Sequence, residues 1–362
     1  MPNHDPVKPR SSGHVARLVY WLTIACAALG ILSSIAAAPS AALRTTAVVS
    51  PIQPTSIALL GAKLYIADPA RQEILLRSPS GSFSVAAGTG VAGLSGDGGP
   101  AIRANIDDPT HLVALRDGAV FFEQLKSGRE VVVREITPSG VIRTVVGLHP
   151  DCSGVTEGTT AIAAESARLV SSPLSVSADD RELVVNAQPC PHALQLGPFL
   201  RLTSKGTLED IQVDRSYAAP LSFCGPLAGV AKFTALFCES GGGRPKRIVV
   251  LRRGATPRSY STFGPAGFAS SGGNVIAVRN GTIVRVTTTG LQTEVSTADL
   301  KHLVSGRNVP SVVALALASS GDVVVVADSA SRNGCTATIS EFEIAEIHRP
   351  RIMWSRLSRQ CY

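Results

Sequence analysis

The chain has 362 residues, a formal charge of +7 at neutral pH, 17% charged residues, 33 glycines and 23 prolines. A balance this mildly basic does not point to nucleic acid, and no run with a period near 3.6 residues follows residue 42, which excludes a helical bundle for the body of the chain. Many short strands joined by Gly and Pro turns are expected instead.

Residues 1–17 carry Lys8, Arg10 and Arg17 against Asp5, and residues 18–42 carry no charge. The apolar core that starts at Leu18 runs for about 21 residues, longer than a cleaved signal needs and close to a bilayer span. Ser40, Ala41 and Ala42 offer small residues to a signal peptidase. Segment 1–42 is therefore expected to be a signal peptide or a membrane anchor, with its basic end cytoplasmic and residues 43–362 secreted or held outside the cytoplasm. Cys26 reads as part of the apolar run, because Thr23 stands where a lipid-attachment site would have Leu. Three cations and one anion belong to the leader, so the exported part keeps about +5, a charge suited to solubility or to weak contact with anionic polymer.

From Thr45 to Ser50 a β-prone stretch precedes the first repeated unit, where it is expected to pair with the last unit and close the assembly. The first unit follows Pro54, with strands predicted at Ser56 to Leu60, Lys63 to Ala67, Gln72 to Ser78 and Phe83 to Ala87. Asp68 ends the second strand as a carboxylate placed to accept loop N–H groups.

The second unit is the most explicit. GTGVAGLSGDGGPAIRANIDDP leads to Pro109, then strands are predicted at His111 to Leu115 and Ala119 to Phe122 about the Asp117-Gly118 turn. Two more follow at Val131 to Ile136 and Val141 to Val146 about Pro138-Ser139-Gly140. This pattern, together with LYIADPARQEI from Leu64 to Ile74, resembles the bacterial NHL-repeat family. The resemblance implies an all-β fold, a six-bladed β-propeller. Such propellers host binding and catalysis alike.

Later units are more diverged. Gly154 to Ser172 is a worn copy of the glycine-rich loop, followed by strands at Leu174 to Ser177, Glu182 to Asn186, Phe199 to Thr203 and Leu208 to Val213. The fourth unit has strands near Ala228 to Ala231, Thr234 to Cys238, Arg247 to Leu251 and Ser259 to Phe263. The fifth has Gly267 to Ser270, Asn274 to Val278, Thr282 to Thr287 and Gln292 to Ser296. The sixth has Val312 to Ala318, Asp322 to Asp328, Ala337 to Ile344 and Arg351 to Ser355. Pro54, Pro109, Pro173, Pro226, Pro265 and Pro310 open the six units, at spacings of 39 to 64 residues. Proline suits the first residue of a strand, where its missing N–H takes nothing from the ladder. Residues 43–362 thus read as one six-bladed propeller.

Besides Cys26 there are six cysteines: Cys152, Cys190, Cys224, Cys238, Cys335 and Cys361. An even number in an exported chain suggests disulfides. In the propeller reading all six fall on one face, and the economical pairing is Cys152 with Cys190, Cys224 with Cys238, and Cys335 with Cys361. No CxxC pair occurs, so no metal site and no cofactor is expected.

Propeller enzymes resembling this fold place ligand residues at the starts of the innermost strands, and here those starts are poor in them. His111 is the one candidate channel residue able to bind a metal or move a proton, and one imidazole without a nearby carboxylate makes neither a calcium nor a zinc site. His149, His192, His302 and His348 share no spacing, so no catalytic set is assigned. Asp97 within SGDGGP is read as bonding its own loop, since no Walker lysine follows. Arg244, Lys246, Arg247, Arg252, Arg253 and Arg258 crowd one hairpin, a candidate polyanion patch; no aromatic residues interleave them as nucleic acid would require.

These readings favour a non-catalytic exported propeller that binds a protein or an anionic envelope polymer through loops of one face, around Leu148 to Ser172 and Ala187 to Pro198. The alternative is a propeller hydrolase or lyase, lactonase-like or amidating-lyase-like, using a divalent metal in the central channel.

Overall fold

The computed structural model describes residues 52–127, 130–149, 161–169, 175–176, 181–188, 199–210, 224–225, 229–230, 233–238, 246–252, 255–262, 268–271, 274–280, 282–287, 289–295, 311–317, 323–331, 339–346 and 351–358. The chain divides into compact units 1–42 and 43–362, and all described residues belong to the second. Residues 1–42, with Cys26, and Thr45 to Ser50 therefore lie outside the described residues. Among those described, no helix is long and apolar enough to cross a membrane.

The described residues build six antiparallel sheets. The first holds β1 (Ser56–Leu60), β2 (Lys63–Asp68), β3 (Glu73–Arg77) and β4 (Phe83–Ala87) in chain order. The second holds β5 (Thr110–Ala114), β6 (Val120–Ser127), β7 (Glu130–Ile136) and β8 (Ile142–Val146). The third holds β9 (Ala161–Ala163), β10 (Arg168–Leu169), β11 (Ser175–Val176), β12 (Leu183–Gln188), β13 (Phe199–Leu202) and β14 (Thr207–Asp210), with β9 on its outer edge beside β14. The fourth holds β15 (Cys224–Gly225), β16 (Gly229–Val230), β17 (Phe233–Cys238), β18 (Lys246–Arg252) and β19 (Ala255–Thr262). The fifth runs through β20 (Phe268–Ser271), β21 (Asn274–Arg279), β22 (Thr282–Thr287) and β23 (Gly290–Val295). The sixth runs through β24 (Ser311–Leu317), β25 (Val323–Ser331), β26 (Ile339–Glu346) and β27 (Arg351–Ser358).

A strand placed between two neighbouring sheets serves two apolar interfaces, because its successive side chains point to opposite faces. In β2, Tyr65 and Ala67 pack towards the second sheet, whereas Leu64 and Ile66 pack towards the sixth. In β6, Val120 and Phe122 face the first sheet and Phe121 faces the third. In β21, Ile276 and Val278 meet the sixth sheet, while Val275 and Ala277 meet the fourth. Strands buried on both faces read as continuous apolar runs without alternation.

The sixth sheet closes on the first, setting Ala314, Ala316 and Val324 against Ile57, Leu64 and Ile66. The first strands also gather side by side, β1 next to β5 and β24, β20 next to β24 and β11, and β11 next to β5. Antiparallel meanders arranged about such a circuit of first strands, with the last sheet packed on the first, have the architecture of a β-propeller.

The glycine-rich loop of the second sheet and its diverged copy before the third make the same hydrogen bonds. Ala101 N–H donates to Gly140 O at 2.8 Å, and Ala164 N–H to Gly206 O at 2.9 Å. Gly88 N–H donates to Ala101 O and Gly147 N–H to Ala164 O, both at 3.0 Å. A short 3-10 turn occurs at each place, Ala101–Arg103 and Ala164–Ser166. Over its described part, residues 161–169, the worn copy thus repeats the backbone geometry of the first loop without its run of glycines.

Strand positions agree with the sequence reading to within a few residues. The largest departures are β6, which continues to Ser127, and β19, which already begins at Ala255; β9 and β10 lie within Gly154 to Ser172, expected to be loop. β27 is the fourth strand of the last sheet.

Candidate functional site

His111 lies in β5, one of the gathered first strands, at a break in the register with β6 between Thr110 and Val113. Its φ is +50°, a left-handed conformation uncommon for a residue with a Cβ, and Asp108 just before it has φ +46°. A bulge of this kind re-aims a side chain out of the regular ladder. Two polar bonds hold it there: Leu112 N–H donates to Ser56 Oγ at 2.8 Å, and Asp108 N–H donates to Gln72 Oε1 at 2.7 Å.

The imidazole meets a carboxylate. His111 Nδ1 is 3.0 Å from Glu123 Oε2, with the His side chain 27% exposed and the Glu side chain 2% exposed. This corrects the expectation that His111 has no carboxylate beside it. Glu123 is twelve residues away in sequence, but it pairs with Thr110 across the β5–β6 ladder, and the bulge brings His111 to it. Since a carboxylate oxygen accepts, Nδ1 carries the proton in the neutral ring and Nε2 keeps its lone pair. No Ser, Thr or Cys side chain hydrogen-bonds the ring among the described residues. Among the described residues Nε2 is thus the ring atom left to accept a proton from another group.

Asp97 does not bond its own loop as expected. Its carboxylate accepts from Arg134 Nη2 at 2.5 Å and from Thr144 N–H at 2.9 Å, so it ties the loop to β7 and β8. Arg134 is fully buried and also donates to the carbonyls of Asn105 and Ser95 and to Gln124 Oε1. Burial raises the Asp97 carboxyl, but the bonds from Arg134 and Thr144 outweigh it and hold the group below its ordinary value. Asp68 does not cap the turn that follows it, Pro69–Arg71, as expected; its carboxylate accepts instead from Gln53 N–H, ahead of β1, at 3.3 Å. Its burial is complete, and desolvation pushes its carboxyl up to about 6.

Among the described residues no group of three His, Cys, Asp or Glu side chains could hold a metal ion. His111 and Glu123 also spend one polar atom each on the other. Among the described residues this donor set does not fit a divalent metal.

Of the cationic patch, Arg244 and Arg253 lie outside the described residues. Lys246 and Arg252 are the two ends of β18, about 20 Å apart at strand rise. Arg247 is exposed, and Arg258, also exposed, donates to Thr289 O. Cys152, Cys190, Cys335 and Cys361 lie outside the described residues, whereas Cys224 and Cys238 are register partners between β15 and β17.

Glu123 and Arg134 are absent from the sequence reading. Their signal is a charge inside VFFEQ and inside VVVREI, strands otherwise apolar, where burial demands a partner.

Neither a protein-family model nor a curated protein matches the chain. Among solved structures it is similar to an inactive variant of virginiamycin B lyase from Staphylococcus aureus with quinupristin, at 12% identity over 88% of this chain and 99% of that one, TM-score 0.40. It is similar to a gluconolactonase from Xanthomonas campestris at 13% identity over 76% and 83%, TM-score 0.42. It is also similar to TolB from Acinetobacter baumannii at 14% identity over 68% and 55%, TM-score 0.43.

Proposed function

We propose that the chain is an exported six-bladed propeller of the NHL-repeat kind that opens cyclic esters by acid–base chemistry at His111. The observation that carries this reading is the His111–Glu123 pair at 3.0 Å, presented by a bulge on a first strand. Six described sheets and the packing of the sixth on the first support the blade count. The uncharged run before residue 42 supports export.

Glu123 holds Nδ1–H and fixes the ring, and Nε2 acts as the base. With no side-chain nucleophile bonded to the ring among the described residues, the proton comes from water or from a carbon of the substrate. In the first case water, losing its proton to Nε2, attacks the ester carbonyl, and the imidazolium returns the proton to the departing alkoxide. In the second Nε2 takes a proton from the carbon next to the C–O bond, that bond breaks to give an alkene and a carboxylate, and the imidazolium releases its proton to solvent. Both reactions open a cyclic ester, and product mass separates them: hydrolysis adds one water and elimination adds nothing. A panel of six-membered and macrocyclic lactones, followed by proton release and product mass, tests the reading. Opening that slows in Glu123→Gln supports it, and no opening across the panel overturns it.

The second reading, a non-catalytic propeller that holds a protein or anionic polymer on loops of one face, draws on exposed Arg247 and Arg258. Lys246 and Arg252 at opposite ends of β18 do not favour one compact patch.

A further inference from the structure

We infer that Cys224 and Cys238 form a disulfide that closes the open end of the first hairpin of the fourth sheet. The inference stands on backbone register and does not rest on the reading of His111.

Cys224 is the register partner of Cys238, and Gly225 of Phe237. Further along the same hairpin, Gly229 pairs with Thr234 and Val230 with Phe233. Between these two blocks the β15–β16 side has three residues, 226 to 228, and the β17 side has two, Ala235 and Leu236. The unequal count shifts the register between the two described blocks. Pairing is present at Gly229 and Val230, and again at a two-residue strand that begins with Cys224.

Directly opposed residues of an antiparallel pair share a face, with Cα atoms about 4.5–5.5 Å apart whichever kind of pair they form. That range falls within the roughly 4.4–6.8 Å that a disulfide spans. A covalent link at this position secures a strand of only two residues. To close it, the two thiols pass two electrons and two protons to a disulfide oxidant of the glutathione type, and one oxidised glutathione yields two reduced ones.

Trypsin cuts after Lys232, between the two cysteines, which makes the test direct. The full chain is equilibrated with oxidised and reduced glutathione, alkylated and digested without reduction. The expected product is peptide 216–232 joined to peptide 233–246, separating on reduction. In Cys224→Ser, Cys238 should take up the alkylating agent, and in Cys238→Ser, Cys224 should. Alkylation of either cysteine in the oxidised wild-type chain, or linkage of either to Cys152, Cys190, Cys335 or Cys361, overturns the inference. The wild-type peptide map decides the matter even if a serine variant does not fold.

Discussion

Arg134 Nη2 donates to Asp97 Oδ1 at 2.5 Å, joining a fully buried guanidinium to a carboxylate that is 41% exposed. This pair anchors the glycine-rich loop to the middle of the second sheet. Asp97→Ala leaves the buried cation short of an acceptor, and a cost of about 1–3 kcal/mol is expected, at the lower end because water screens the exposed carboxylate. The urea midpoint should fall with its slope unchanged. Because the folded Asp97 value is depressed, its contribution is present above the unfolded value of 3.8 and fades as pH falls through the folded one. A midpoint equal to wild type at pH 7 would show that Ser95, Asn105 and Gln124 suffice for Arg134.

Asp68 has the opposite sign. Its folded value of about 6 exceeds 3.8, so the folded chain holds the proton more tightly than the unfolded one. Its contribution is complete below pH 3.8 and is lost as pH rises through 6. In Asp68→Asn that loss disappears. The stability of the variant relative to wild type should rise between pH 4 and pH 7 by about 2–3 kcal/mol. Parallel stability curves for the two proteins would contradict a buried, destabilised carboxylate.

Gly88 has φ +101°, and a Cβ there would sit 2.4 Å from Gln72 O and 2.9 Å from Glu73 Cα. Both obstacles are backbone, so neither swings away. Gly88→Ala is expected to cost about 2–4 kcal/mol. Gly61, at φ +59° with nothing within 4 Å of an added Cβ, is the control. Gly61→Asn should cost less than about 1 kcal/mol, since Asn tolerates the left-handed region. Thermal unfolding of the two variants gives the comparison, and equal losses would refute it.

Turn chemistry made the strands legible. At Asp117-Gly118 the structure has Gly118 N–H donating to Leu115 O and Ala119 N–H to Asp117 Oδ1, the bonds such a dipeptide favours. At Pro138-Ser139-Gly140, Gly140 N–H closes on Thr137 O. Side-chain partners across the sheet were not legible. Whether His111 meets Glu123 depends on a local bulge, and a slip of one residue turns a side chain to the other face. Arg134 likewise gathers acceptors from a loop about forty residues earlier, at Ser95 and Asp97. Local pattern carries no information about such distant pairings.

The most direct measurement is the opening rate of one cyclic ester by wild type and by His111→Gln, with circular dichroism of both as the check on folding. Removing a positioned general base should lower kcat by about 10²–10⁴ while the β-sheet spectrum stays the same. Equal rates in two folded proteins would contradict a catalytic role for His111.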